Sequence, residues 1–345
     1  MSDRIHTYNI GLLGFGKVLR SFVKYYLRNK QKIIKEFGFE LRFCALADSE
    51  SSVAGDINIH KFLYIKEKRG RLGNINKNPL EIFMPLIKTQ KLDIIIDGLP
   101  GLRNEAGVSF PFIIESLKNG VNVICVNKSP LVFKGDEIFQ LARKNKVYIG
   151  LNATTGSALP VSGIINNELI SARIYKIRGV LNGTSNYVLD KIMFESKHRV
   201  EAIQEAIKMG IAEPDYRYDL EGIDTCFKTV IIGLLLTGKC ADLKSIPCCG
   251  IMKLDDKEIN FNVKRGKVVR LIGNLSIKSG QPLVSVGPEF IDRNDPLYVV
   301  SGANKGITFY TKGMGELTLI GGASGLDAVG ATIMKDIINF HKGNK

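Results

Sequence analysis

What the chain lacks narrows the field first. No stretch of its 345 residues approaches the roughly 20 uninterrupted apolar residues that cross a bilayer. The opening residues 1–6 read neither as an apolar signal core nor as an Arg/Ser-rich transit sequence. No membrane partner is expected, and a cytoplasmic protein is. The six cysteines, Cys44, Cys125, Cys226, Cys240, Cys248 and Cys249, include no C-x-x-C pair, and most sit in or beside apolar runs, where a free thiol packs as a small hydrophobe. The four histidines repeat no ligand spacing with them, so no zinc cluster is expected. Internal repeats and low-complexity linkers are also missing. A formal charge of +14 invites a nucleic-acid reading, since Lys and Arg make the phosphate contacts that dominate such binding. The basic residues, however, are scattered through 24–35, 61–77 and 264–278 with no aromatic stacking platform and no reading helix. They suit a solvated surface or one that attracts an anionic cofactor, and no nucleic-acid partner is expected.

What is present fits two domains: 345 residues at 45% hydrophobic are too many for one ordinary core and apolar enough to fill two. The apolar run 9–13 breaks at Gly14-Phe15-Gly16 and passes into helical spacing at Val18, Phe22, Tyr25 and Tyr26. Further strands are read at 41–47, 92–96 and 121–126, with helices near 107–118 and 135–144. This alternation implies an α/β, Rossmann-type doubly wound parallel sheet. From about residue 152 the texture turns to Gly/Ser/Thr-rich turns, helices, and strand-like segments at 267–277, 282–288, 298–300 and 306–310, which reads as a second, α+β domain. A final helical pattern covers 328–340.

Gly14 and Gly16 stand where a strand turns into a helix. There the backbone can approach a pyrophosphate, and the amides that open the helix, around Lys17 and Val18, meet its charge. Leu19 occupies the place of the usual third glycine. Asp48 follows the second strand, where an acid receives ribose hydroxyls. It comes about 30 positions after the glycines instead of about 20, which requires a long first helix; an ordinary turn Asp is the competing reading. With no Lys or Arg in 47–53, Asp48 and Glu50 would repel a 2′-phosphate, which leans the cofactor to NAD over NADP. A cation swinging in from 61–71 would reverse that lean.

The strongest segment is 213–228, which carries Glu213, Asp215, Asp219, Glu221, Asp224 and Lys228 ahead of an apolar helix. Asp224 and Lys228 are four apart and share a helix face, and the residues after the lysine desolvate it, so it can give a proton to a developing alkoxide and recover it. Without that setting, such a pair is an ordinary surface salt bridge.

With this segment, the chain resembles homoserine dehydrogenase. Similar blocks follow the family's order: Val126-Asn127-Lys128-Ser129-Pro130-Leu131, Thr155-Gly156-Ser157-Ala158-Leu159-Pro160, Gly179-Val180-Leu181-Asn182-Gly183-Thr184-Ser185-Asn186-Tyr187, and Gly321-Gly322-Ala323-Ser324-Gly325. The resemblance implies NAD(P)-dependent interconversion of aspartate 4-semialdehyde and homoserine, the branch point toward threonine and methionine, in a homodimer. It implies Lys228 as general acid/base, Asp224 orienting it, and Lys128 near the nicotinamide and the reacting carbonyl. Glu213 and Asp219 would bind the substrate ammonium, with Gly183 and Thr184 beside the substrate. The cofactor would meet Gly14, Phe15, Gly16, Lys17, Val18, Asp48, Leu99, Pro100, Lys128, Gly321 and Gly325. It implies a dinucleotide domain of residues 1–151 with 318–345 and a catalytic and dimerisation domain of 152–317, with no appended regulatory domain expected. Two departures stand out: Asn152 replaces the Glu that helps backbone carbonyls hold a monovalent cation, leaving a sodium ion to Asn152, Thr155, Ser157 and Leu159, and Leu99 stands where a hydroxyl residue is common.

Other classes fit less well. An acylating semialdehyde dehydrogenase needs a nucleophilic Cys beside a His, and Cys125 lies within a strand. A non-catalytic NAD(P) sensor or nucleic-acid-binding protein on the same fold would have no need of Glu213, Asp219, Asp224 and Lys228 together.

Overall fold

The structure, a computed structural model, describes residues 5–73 and 78–343, so residues 1–4 of the opening segment and Lys77 of the basic stretches lie outside the described residues. The chain divides into two compact units, one running to Thr154 and resuming at Leu326, the other spanning Thr155–Gly325.

In the first unit, β1 (His6–Leu13), β2 (Phe39–Ala47), β3 (Ser52–Ala54), β4 (Ile94–Asp97), β5 (Asn122–Cys125) and β6 (Ile149–Gly150) form a six-stranded sheet in the order β3-β2-β1-β4-β5-β6. All pairings are parallel except that of the edge strand β3 with β2. The order reverses between β1 and β4, which places the ligand crevice of such a sheet at the carboxyl ends of those two strands. Helices α1 (Lys17–Phe37), α2 (Ile59–Arg69), α3 (Pro79–Lys88), α4 (Phe110–Lys118) and α5 (Ser129–Asn145) connect the strands. The 21 residues of α1 account for the long interval before Asp48. Its buried stripe of Leu19, Phe22, Val23, Tyr26 and Ile33 joins Ile10 and Leu12 of β1 in one apolar core. Helix α1 stops at Gly38, whose left-handed backbone lets its N–H reach the Ile34 carbonyl.

The second unit is built on an antiparallel sheet, β11-β10-β7-β8-β9, with β7 at Arg173–Val180, β8 at Val268–Lys278, β9 at Gln281–Ile291, β10 at Lys305–Lys312 and β11 at Gly315–Gly321. Its longer helices are α6 (Gly183–Glu195), α7 (Arg199–Lys208), α8 (Ile223–Thr237) and α9 (Asp256–Val263). Segment 298–300, expected as a strand, belongs instead to a 3-10 turn over Pro296–Val299: Pro296 opens it, and the Asp295 carboxylate accepts the Leu297 N–H at 2.9 Å. Because β11 runs to Gly321, residues 318–325 lie in the second unit and not, as expected, in the first. The last helix, α10 (Leu326–Gly343), belongs to the first unit and packs on α1.

Candidate active site

The first unit carries a crevice built for a dinucleotide. Gly14 follows β1 with φ at +91°, and a Cβ there would lie 2.6 Å from the Gly98 carbonyl carbon at the end of β4, so only glycine lets these two strand ends meet. The missing third glycine has a structural counterpart. A Cβ on Gly98 would lie 2.6 Å from Leu19 Cγ, so Gly98 provides the space that Leu19 fills. The N–H groups of Gly14 and Phe15 are held by the Ala47 carbonyl at 2.9 and 2.6 Å, and the Phe15 side chain is fully buried. Phe15 therefore shapes the turn, while Lys17, Val18 and Leu19 open α1 with first-turn amides that no intrahelical carbonyl reaches. With no acid in that first turn, these residues fit a pyrophosphate.

Asp48 is buried and engaged by five donors. Its Oδ1 accepts the Glu50 and Ser51 N–H groups and the Ser51 hydroxyl at 2.9, 2.7 and 3.0 Å, and its Oδ2 accepts Lys66 Nζ at 2.7 Å and the Leu72 N–H at 2.9 Å. Burial pushes its pKa up, but the Lys66 ammonium and these donors outweigh burial and hold the carboxyl below its ordinary value. The residue expected to read the ribose is thus committed to its own loop.

At the end of β4, Asp97 is fully buried, which pushes its carboxyl up to about 7 against the opposing bonds from Ser109, Leu99 and Asn127. Leu99 and Pro100 follow it in a turn packed against Asn127 and Ser129. A Cβ on Gly101 would lie 2.9 Å from both the Asn127 Oδ1 and the Ser129 Oγ. Half-buried Lys128 opens α5 between those two residues. Asn152, expected at a cation site, is occupied: its N–H and Nδ2 donate to Asp336 at 3.2 and 2.6 Å, and its Oδ1 accepts Lys335 Nζ at 3.4 Å.

The second unit holds the Lys228–Asp224 pair expected to move the proton. Lys228 Nζ donates to Asp224 Oδ2 at 2.6 Å and to the Leu181 carbonyl at 2.8 Å, with its side chain 14% exposed and that of Asp224 8%. The pair sits in the first two turns of α8, a helix pressed onto β8. A Cβ on Gly273 would lie 2.2 Å from Thr229 Oγ1, so Gly273 sets how deeply the helix seats. Asn182 is the residue the sequence reading passed over: its Nδ2 bridges Asp219 Oδ1 at 2.8 Å and Asp224 Oδ2 at 2.9 Å, while its Oδ1 caps α6 by accepting the Ser185 N–H. Its place as an Asn just before a helix was the available signal. Burial, then the neighbouring Asp224, raises the Asp219 carboxyl against bonds from Thr184 and Asn182.

Thr184 is buried in the same cluster and donates to the Ile211 carbonyl at 3.1 Å. Gly183 is confined, since a Cβ there would lie 2.6 Å from the Ala303 carbonyl. Glu213 is not drawn into the cluster; its side chain is exposed ahead of the helical turn Arg217–Leu220. Gly321 and Gly325 have φ of +133° and +112° at the two ends of the loop after β11, and between them Gly322 presses on the Leu159 backbone.

The 155–160 turn, expected to help hold sodium, already contains a cation. Lys305 Nζ donates to the Gly156 carbonyl at 3.2 Å, and the Leu159 carbonyl accepts the Val161 N–H at 2.8 Å. Neither Asn152 nor this turn supplies an anionic donor, and no cluster of three or more His, Cys, Asp or Glu among the described residues is arranged for a metal. The donor set fits sodium poorly.

Comparisons with known proteins point to one family. A family model described as homoserine dehydrogenase matches residues 160–338, more than half of the chain. Homoserine dehydrogenase of Methanocaldococcus jannaschii is 29% identical over 340 residues, covering 98% of this chain and 99% of that protein. The NAD(+)-dependent homoserine dehydrogenase of Pseudomonas canavaninivorans is 26% identical over 342 residues, covering 97% and 96%. A hyperthermophilic archaeal homoserine dehydrogenase solved in complex with NADPH superposes with a TM-score of 0.80 at 26% identity, covering 96% of this chain and 97% of that one. With a doubly wound dinucleotide crevice in one unit and a buried Lys–Asp pair in the other, the chain belongs to the homoserine dehydrogenase family of NAD(P)-dependent oxidoreductases.

Proposed function

We propose that this enzyme interconverts L-aspartate 4-semialdehyde and L-homoserine, and that Lys228 is the proton donor and acceptor. The carrying observation is the 2.6 Å Lys228–Asp224 pair inside a largely buried cluster. As the aldehyde is reduced its oxygen gains negative charge, and an ammonium aimed at it lowers the barrier and delivers the proton. Asp224 and the Leu181 carbonyl take two of the three ammonium protons, leaving the third for the substrate oxygen. Asn182, by clamping Asp224 to Asp219, fixes the carboxylate that orients the lysine. Asp219, with Gly183 and Thr184 beside it, supplies an acid for the substrate ammonium, exposed Glu213 a second one, and Lys128 in the first unit a cation for the nicotinamide side. A bound nicotinamide dinucleotide exchanges the hydride. Gly14, Gly16, Lys17 and Val18 would hold its pyrophosphate, with Leu99 and Pro100 on the nicotinamide side and Gly321 and Gly325 as further contacts.

Cofactor choice reads differently once Lys66 is seen to pair with Asp48. The Asp48 carboxylate that would repel a 2′-phosphate is neutralised and buried, so its part of the repulsion behind a preference for NAD falls away and only exposed Glu50 still opposes the phosphate. We infer an enzyme that accepts both NAD and NADP. The open edge strand β11, with exposed Ile320 and Met314 on or beside it, suits pairing of two copies. The assay is direct: homoserine with each oxidised cofactor, followed at the reduced-nicotinamide absorbance band. Growth of that band with both supports the proposal, and no growth with either sinks it.

Glu213 is tested separately. Glu213→Gln removes a charge that faces the substrate ammonium but leaves the proton donor in place, so KM for homoserine should rise by about tenfold with kcat little changed. An unchanged KM takes Glu213 out of the substrate shell.

A further inference from the structure

Lys305 opens β10 with only 5% of its surface exposed, and it forms no ion pair with any described residue. Its one hydrogen bond goes to the Gly156 carbonyl. A buried ammonium without an acid is costly, and such charges are normally paired. The acid whose field it feels, Asp224, already holds Lys228 at 2.6 Å and Asn182 at 2.9 Å. Next to Gly156, the hydroxyl of Ser157 is buried with no hydrogen-bond partner, on a backbone with φ at +55°. A buried cation on β10 thus bonds the turn that carries a buried, unbonded hydroxyl, and the next residue, Gly306, pairs with Val180, one residue before the Leu181 carbonyl that holds Lys228.

The substrate class proposed above has three polar ends. Its ammonium is served by Asp219 and Glu213, and its reacting oxygen by Lys228, but no cation has been assigned to its α-carboxylate. We propose that Lys305, bonded to the turn that carries the Ser157 hydroxyl, is the seat for that carboxylate and determines specificity for amino-acid over neutral amino-alcohol substrates. This rests on the homoserine reading.

The test compares homoserine with homoserine amide, in which the carboxylate is a neutral carboxamide. The parent enzyme should favour homoserine by about 100-fold in kcat/KM, the loss expected when a buried charge keeps no partner. Lys305→Met should bring that ratio within about threefold, mainly through KM for homoserine, while cofactor affinity stays unchanged. Lys305→Gln, close in length and able to bond the Gly156 carbonyl, should behave the same way and guards against misfolding of the Met variant. A parent that oxidises the amide as well as homoserine overturns the proposal with no variant needed. So does a variant that loses both substrates equally, which would mark Lys305 as a structural or positioning group. A parent inactive on homoserine with either cofactor overturns the functional reading itself, and this inference with it.

Discussion

Both oxygens of Asp48 are in use, and that changes what its substitution should do. Removing one partner of a buried ion pair costs about 3 kcal/mol or more, because the Lys66 charge is left without a counter-ion. Asp48→Asn is therefore expected to lower the unfolding free energy by an amount of that order while shifting the NAD-to-NADP ratio of kcat/KM by less than about threefold. A large change in that ratio with unaltered stability would return Asp48 to the ribose. Its depressed carboxyl pKa fixes the sign with pH: the stabilisation is present above the ordinary value near 4 and is lost as pH falls through the lower folded value. Asp97 runs the other way. Burial raises it to about 7, so the folded state favours the protonated acid; the stability this contributes is full below about 4 and is lost as pH rises through about 7. Asp97→Asn should accordingly match the parent in thermal melts near pH 5 and gain on it by on the order of 2 kcal/mol at pH 8. A gap independent of pH would contradict the buried-acid assignment.

Among the elements, α8 bears most directly on the proposed mechanism, because one helix carries both Asp224 and Lys228 and packs on β8. Gly273→Ala would put a methyl group 2.2 Å from Thr229 Oγ1, and overpacking of this kind costs about 1–3 kcal/mol. We expect lower stability and lower kcat, with part of both restored by adding Thr229→Ala. Failure of the second substitution to restore anything would place the strain elsewhere. Elements with a clear period were legible beforehand: the strands at the ends of the crevice, the β8 and β9 hairpin, and the closing helix all follow from alternation or helical spacing. Strands β3 and β6, of three and two residues, are too short to show a period. Helix α3 is interrupted by Pro85. Strand β7 mixes Arg173, Lys176 and Arg178 with its apolar residues, and its Arg178 finds partners only in the folded sheet, in Glu289 and Asp295.

At the scale of the whole molecule, local sequence reveals the chemistry better than it reveals partners distant in the chain. The Asp224–Lys228 pair is a spacing on one helix and could be read directly. The Lys66–Asp48 pair, the Asn182 bridge and the Lys305 contact with Gly156 join residues 18, 37 and 149 positions apart, and no spacing rule reaches them. One comparison tests most directly whether the proton moves through Lys228: the rate of homoserine oxidation by the parent and by Lys228→Met, each with NAD and NADP. The prediction is measurable turnover by the parent with both cofactors and a kcat lower by about 10²–10⁴ in Lys228→Met, with cofactor binding intact in the variant. A Lys228→Met enzyme within a few-fold of the parent would contradict it.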